Sequence, residues 1–248
     1  MVSTLVRTVA ARVAFKGPGI QVNGLEAVPE GLWVSDQQNN RTYLVDYHGA
    51  VLHSFRSPAR NASGTSVGAG SVWVASNVKP SMVFRHDPAS GECLASLHLP
   101  NAAEGGVHGI LWRPFELGVT PIPAPPRPPE LFPTAHGGAL NEGPGGSGTL
   151  WVTRPGTLVI DHIDAETGDQ LGQLPFPVTR SHGLYWEDDT LVVVETNHNH
   201  VYRLDPRNGA VLDEWQLTGV PEVHALARGA DGRVWIGDAS TNEIAVVE

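Results

Sequence analysis

One segment of this chain recurs along its length, and that recurrence limits the fold more than any other property. Residues 179–217 read TRSHGLYWEDDTLVVVETNHNHVYRLDPRNGAVLDEWQL. A short apolar piece opens at His182-Gly183, and a second, Leu191–Val194, follows an acidic turn. A third, Val201–Leu204, runs into an Asp-x-x-x-Gly turn at Asp205, and a fourth covers Val211–Leu217. Four short runs separated by turn signals predict a four-stranded antiparallel meander. The same unit starts near Asn23, Ser63 and His224. From opener to the centre of the second run is ten residues for Asn23–Trp33, Ser63–Trp73 and His182–Val192, and eleven for His224–Trp235. A fixed period of this size is the signature of a repeat architecture.

These units predict an all-β fold: a five-bladed β-propeller of four-stranded antiparallel blades, formed as one domain over residues 1–248. The last unit lacks a fourth strand, while the Val-rich segment Leu5–Phe15 precedes the first unit. That segment is expected to pair with the C-terminal strands and close the ring, removing open sheet edges. The middle unit is irregular. It ends with Leu150-Trp151-Val152 and Leu158–Asp164, but either His108-Gly109 or His136-Gly137 can open it. Between them lies a Pro-rich insertion at about 114–134, whose prolines exclude central strands. The alternative is six blades, with a degenerate one near residues 105–132.

Composition narrows the partners. A formal net charge of −10 argues against nucleic acid, which requires a basic stripe. The single Cys93 has no intramolecular partner. The N-terminus lacks the apolar core of a signal peptide, and no run approaches the length of a membrane span. A cytoplasmic protein with a small-molecule substrate is expected, without nucleic acid or membrane partners, and a monomer is compatible with this.

In a propeller the start of strand one and the end of strand two of each blade lie on one face. Two polar sets then converge: the openers Asn23, Ser63, His108 or His136, His182 and His224, and the strand-two ends Asp36, Ser76, Arg154, Glu195 and Asp238. Neutral imidazole is the commonest metal ligand. His108, His182 and His224, with His136 as a possible fourth, are the expected ligands of a divalent transition metal: Zn, Mn or Fe. Glu195 is expected beside His182 as an orienting acceptor, a ligand or a general base, with His198 in the following loop as the alternative proton carrier and His200 near it. Arg154 is the expected anion-holding cation, with Arg41 and Arg180 competing. Glu104 and Glu222 precede His108 and His224 as candidate orienting groups. The recurrent Trp33, Trp73, Trp151 and Trp235 read as packing between blades, and the Asp turns as hairpin chemistry. Residues 143–148, GPGGSG, lack the strand–loop–Lys context of a phosphate loop.

The pattern His-Gly, an apolar pair, Leu-Trp-Val, then Tyr-x-Leu-Asp-x-x-x-Gly-x-Val-Leu resembles the NHL, gluconolactonase and streptogramin-B-lyase group of β-propellers. Within that group, peptidyl-hydroxyglycine amidating lyases hold zinc with inner-strand histidines. Streptogramin B lyases use His and Glu around a divalent metal. His182 and His224 stand at the corresponding positions. Calcium-dependent gluconolactonases use Glu, Asn and Asp, of which only Asn23 has a counterpart here. Plant-type glutaminyl cyclases share the five blades and the length, but their signature strands are not visible in this chain. The resemblance implies a metal-dependent enzyme, a lyase acting on a small anionic or carbonyl-containing substrate. The alternatives are a metal-dependent hydrolase of lactones, esters or phosphoesters, a non-catalytic ligand-binding propeller, or four imidazoles around iron in a redox role.

Overall fold

The computed structural model describes residues 6–100, 106–114 and 148–248. His136, Glu104 and most of the Pro-rich segment lie outside them. The described chain is all-β, in several four-stranded antiparallel groups consistent with a β-propeller. Three are separate sheets: β2 (Val22–Val28), β3 (Gly31–Asp36), β4 (Arg41–Val45) and β5 (Val51–Arg56); then β6 (Ala62–Gly68), β7 (Ser71–Ser76), β8 (Met82–His86) and β9 (Cys93–His98); then β10 (Ile110–Pro114), β11 (Gly148–Thr153), β12 (Val159–Asp164) and β13 (Gln170–Pro175).

Burial peaks in the second strand of each group and is lowest in the fourth. The second strands GLWVSD, SVWVAS and GTLWVT are buried at every residue, which their unbroken β-branched and aromatic content suits. The fourth strands β5 and β9 are mostly exposed. The hairpin turns follow the Asp signal. The Asp46 carboxylate accepts from the amides of His48 and Ala50, Asp87 from Ala89 and Ser90, and Asp164 from Glu166 and Thr167.

The remaining strands form an eight-stranded sheet. It contains β14 (Ser181–Glu187), β15 (Thr190–Glu195), β16 (His200–Leu204) and β17 (Val211–Thr218), then β1 (Arg7–Lys16), and then β20 (Glu243–Val247), β19 (Val234–Asp238) and β18 (Val223–Arg228). The N-terminal strand therefore does pair with the C-terminal one, Ala11–Lys16 running antiparallel to β20. Its first half does something the repeat did not suggest: Arg7–Ala10 pair in parallel with Trp215–Thr218 of β17. One long strand thus covers two edges and merges two groups.

The middle group settles which histidine opens it. Ile110–Pro114 pair with β11 in register Ile110↔Val152 to Pro114↔Gly148, so the strand led by His108 is the partner of Trp151. The innermost strands touch in the order β2, β6, β10, β14, β18 and back to β2. Close approach is possible because each opener but the last precedes glycine. A Cβ on Gly109 would lie 2.2 Å from the carbonyl oxygen of His182, and one on Gly64 2.6 Å from the amide nitrogen of Ile110. Apolar clusters fill the spaces between successive groups. Trp33 packs with Val72 and Phe84, Trp73 with Leu150 and Val152, Trp151 with Leu191 and Val193, and Trp235 with Leu25 and Val34.

Candidate metal centre at the mouth of the inner strands

Each opener sits on a β-bulge. Val22 pairs with Asp36 and Gly24 with Ser35, leaving Asn23 as the extra residue. Val223 pairs with Asp238 and Ala225 with Gly237, leaving His224 extra. In β14, His182-Gly183 together oppose Val194, and Ser63-Gly64 are bulged in the same way in β6. Ahead of β10, both His108 and Gly109 bond to Thr153. A bulge re-aims a side chain and raises local twist. Plain alternation along a strand, which the sequence reading relied on, does not foresee it.

The bulges bring three imidazoles together. Ring centroids lie 4.3 Å apart for His108–His182, 4.2 Å for His182–His224 and 6.1 Å for His108–His224. One ring nitrogen from each lies within 4.8 Å of those of the other two. Thr153 stitches two of the strands, accepting from the Gly109 amide at 2.8 Å and donating to the His182 carbonyl at 2.6 Å.

The hydrogen bonding of the rings leaves lone pairs free. His182 donates from Nδ1 to the Arg180 carbonyl at 2.8 Å, which makes Nε2 the bare nitrogen, and that buried atom has no partner. His108 Nδ1 is likewise buried and unpartnered. His224 is held from both sides, Nδ1 3.2 Å from Asn23 Oδ1 and Nε2 3.2 Å from Glu222 Oε1. Burial pushes His108 down to about 3, with the charges of His224 and Arg180 adding to it. Burial also holds His182 well below the ordinary imidazole value, and lowers His224 although Glu222 opposes the shift. Two imidazoles with orphan nitrogens beside a third, His224, whose lowered pKa keeps it neutral make a nitrogen donor set that fits Zn, Mn or Fe. Beneath them the space between inner strands, lined by Leu25, Thr65, Ile110, Leu184 and Leu226, narrows to a cavity of about 10 Å³. That is about one water.

The strand-two ends behave differently from the openers. Asp36 accepts from the amides of Gln21, Gln38 and Asn39, and Asp238 from those of Glu222, Ser240 and Thr241. Glu195 takes the amides of Asn197 at 2.7 Å and His198 at 3.1 Å, and His198 Nδ1 at 3.2 Å. Its carboxylate is spent on its own loop rather than turned to His182. His198, its side chain 73% exposed, pairs with Glu195 and lies near His200, and no contact joins it to the three imidazoles among the described residues. Arg154 departs furthest from expectation. It is 1% exposed, paired with Asp161 at 2.7 Å and donating to Ser81 and the Pro100 carbonyl, so it holds neighbouring groups together and does not stand at the mouth. Arg41 is directed to Ser54 on the outer strands. The half-exposed cation beside the imidazoles is Arg180, 3.9 Å from Glu222.

The sequence reading missed a second device in these loops. Four residues after each acidic end stands an asparagine in the left-handed region: Asn40, Asn199 and Asn242, with φ of 56°, 53° and 56°. Each side-chain oxygen accepts the amide just before the next opener: Ala62, Val223 and Val22. The signal was present as a repeated Asp/Glu-x-x-x-Asn, and Ser76 and Arg154 break it.

No protein-family profile matches this chain, and no curated protein matches it. Its fold does match solved structures. Myxococcus xanthus glutaminyl cyclase superposes with a TM-score of 0.72 at 10% identity, covering 98% of each chain. Streptogramin B lyase gives 0.51 at 18% identity over 93% of this chain and 66% of that one. A Bacteroides caccae protein of unknown function gives 0.57 at 14% identity, over 89% of this chain and 72% of the other. The chain thus has the fold of streptogramin-B-lyase-like β-propellers. Fold likeness at these identities does not carry chemistry with it.

Proposed function

We propose that this chain is a five-bladed propeller enzyme whose divalent transition metal is held at the channel mouth by His108, His182 and His224. Five inner strands in cyclic contact support the blade count, with the eight-stranded sheet read as two blades joined by β1. The observation that carries the functional reading is the pair of buried ring nitrogens without partners, on His108 and His182, inside a cluster of three imidazoles. An unsatisfied buried polar atom costs about 1–3 kcal/mol, and three of these rings from separate groups share one place.

When bound, the metal supplies a Lewis acid that polarises a carbonyl or ester oxygen. The chain supplies the rest. The Arg180 carbonyl fixes the tautomer and orientation of His182, as orienting acceptors do for ligating histidines. His224 would hold the ion through one ring nitrogen in exchange for one of its two oxygen contacts, and the other contact would orient it. Glu222, partly exposed at the mouth beside His224, is the carboxylate placed to take a proton from substrate. This role falls to it because Glu195 is committed to its loop. Elimination is the reaction favoured here, because the repeat pattern around His182 and His224 resembles that of propeller lyases, and incorporation of labelled water oxygen into product would identify a hydrolase instead. Metal analysis of untagged protein tests the reading. One equivalent of Zn, Mn or Fe per chain is expected, lost on chelation and restored by reconstitution. Metal that stays substoichiometric after reconstitution contradicts it.

A further inference from the structure

We infer that Arg180 is the substrate-recognition residue of this mouth and that it takes a carboxylate. The inference rests on reading the three imidazoles as the reaction centre, and it names the substrate class of that site. Arg180 occupies the turn two residues before His182 with φ of 69°, its amide bonded to the Pro155 carbonyl and its own carbonyl to the Thr196 amide and His182 Nδ1. Its backbone is therefore fixed at three points. Its side chain is 40% exposed, and the positive charge is felt by all three imidazoles.

The guanidinium is poorly satisfied for so ordered a group. Nε is buried without an acceptor, and the ion pair to Glu222 is long at 3.9 Å, while Glu222 keeps a shorter contact of 3.2 Å to His224. A buried N–H without an acceptor implies an absent partner. The planar fork of arginine matches a carboxylate bidentately. A single negative charge suits the place better than a phosphate dianion, because the Glu222 carboxylate stands beside the guanidinium. A substrate carboxylate on Arg180 would lie over the three imidazoles, setting which bond of a small acid faces them.

Acetate and inorganic phosphate are the probes. The full chain, untagged, is titrated with each, in zinc-loaded and zinc-free form, while the ¹H–¹⁵N resonances of Arg180 Nε and of the Ser181 and His182 amides are followed. Zinc affinity is measured separately by competition with a chelator. Acetate is expected to move these resonances saturably in the wild type. Arg180→Gln is expected to weaken acetate by about tenfold or more and to leave zinc affinity within about threefold. Should Arg180→Gln fail to fold, Arg180→Lys keeps the charge, loses the fork, and binds acetate several-fold more weakly. Acetate that moves none of these resonances, or that binds wild type and variant alike, overturns the inference. So does phosphate that binds as tightly as acetate. If zinc does not bind but acetate still depends on Arg180, the metal reading fails and this one stands. If zinc binds and acetate does not, the reverse holds.

Discussion

Two sets of polar residues ring the same mouth, and they differ in whether the protein satisfies them. The strand-two ends Asp36, Glu195 and Asp238 each accept two or more backbone amides from adjoining loops. The openers His108 and His182 keep buried nitrogens with no partner among the described residues. Equivalence in the repeat gives both sets the same place and says nothing about their bonding. A carboxylate that has found its donors is part of the scaffold, and an imidazole cluster with unpartnered nitrogens is free to take a ligand. Substitutions should therefore divide cleanly: strand-end changes act on stability, and opener changes act on metal binding.

The largest stability effect should come from Arg154→Met. It leaves the buried Asp161 carboxylate with Gln170 and Gln173 as its side-chain donors among the described residues, a loss of about 3–5 kcal/mol in denaturant unfolding, with metal affinity unchanged. Asp238→Ala removes the acceptor of three backbone amides and should cost about 2–3 kcal/mol. A loss of metal affinity greater than its loss of stability would blur the division proposed above. Asn199→Ala releases the Val223 amide and the Val220 carbonyl and should cost about 1–2 kcal/mol. Because it loosens the strand that carries His224, it should weaken metal binding modestly as well. His108→Phe inverts the pattern: stability within about 1 kcal/mol of wild type, with metal binding lost.

The smallest effect is one of pH. Burial raises the Glu26 carboxyl to about 7 from 4.5, against the Ser66 hydrogen bond. An acid whose folded pKa is raised stabilises fully below its unfolded value and loses that contribution as pH rises through the folded one. Wild-type stability should thus fall between about pH 4.5 and 7 and level off above. Glu26→Gln should flatten that window. An unchanged slope in the variant would mean that another group sets it.

Much of the fold was legible because the repeat writes it several times. Trp33, Trp73, Trp151 and Trp235 mark second strands by their shared place in the repeat, and Asp46, Asp87, Asp164 and Asp205 mark the turns after third strands. The pairing of the N-terminal strand followed from a missing fourth strand near the C-terminus. Its parallel contact with Trp215–Thr218 did not, since nothing local distinguishes a strand that covers one edge from one that covers two. At the site, the convergence of His108, His182 and His224 was legible from their shared position. The bulge that aims them was not, because one extra residue against the partner strand leaves no mark in the apolar alternation. The carboxylates were misplaced for a physical reason: a strand-end acid followed by Gln-Gln-Asn, Thr-Asn-His or Ala-Ser-Thr turns into its own loop, where amides are nearer than the axis. Arg154 shows the limit of position alone. The residue equivalent to Asp36 and Glu195 found its counter-ion, Asp161, on the adjacent strand and never reached the mouth.

The central claim is that three imidazoles from separate strand groups form one metal centre. Anomalous scattering from crystals of untagged protein grown with zinc, recorded on both sides of the zinc edge, tests it most directly. A single dominant peak within bonding distance of nitrogens from His108, His182 and His224, gone in His108→Phe, is the predicted result. A strong peak elsewhere with none among these rings, in protein confirmed to contain zinc, would contradict it.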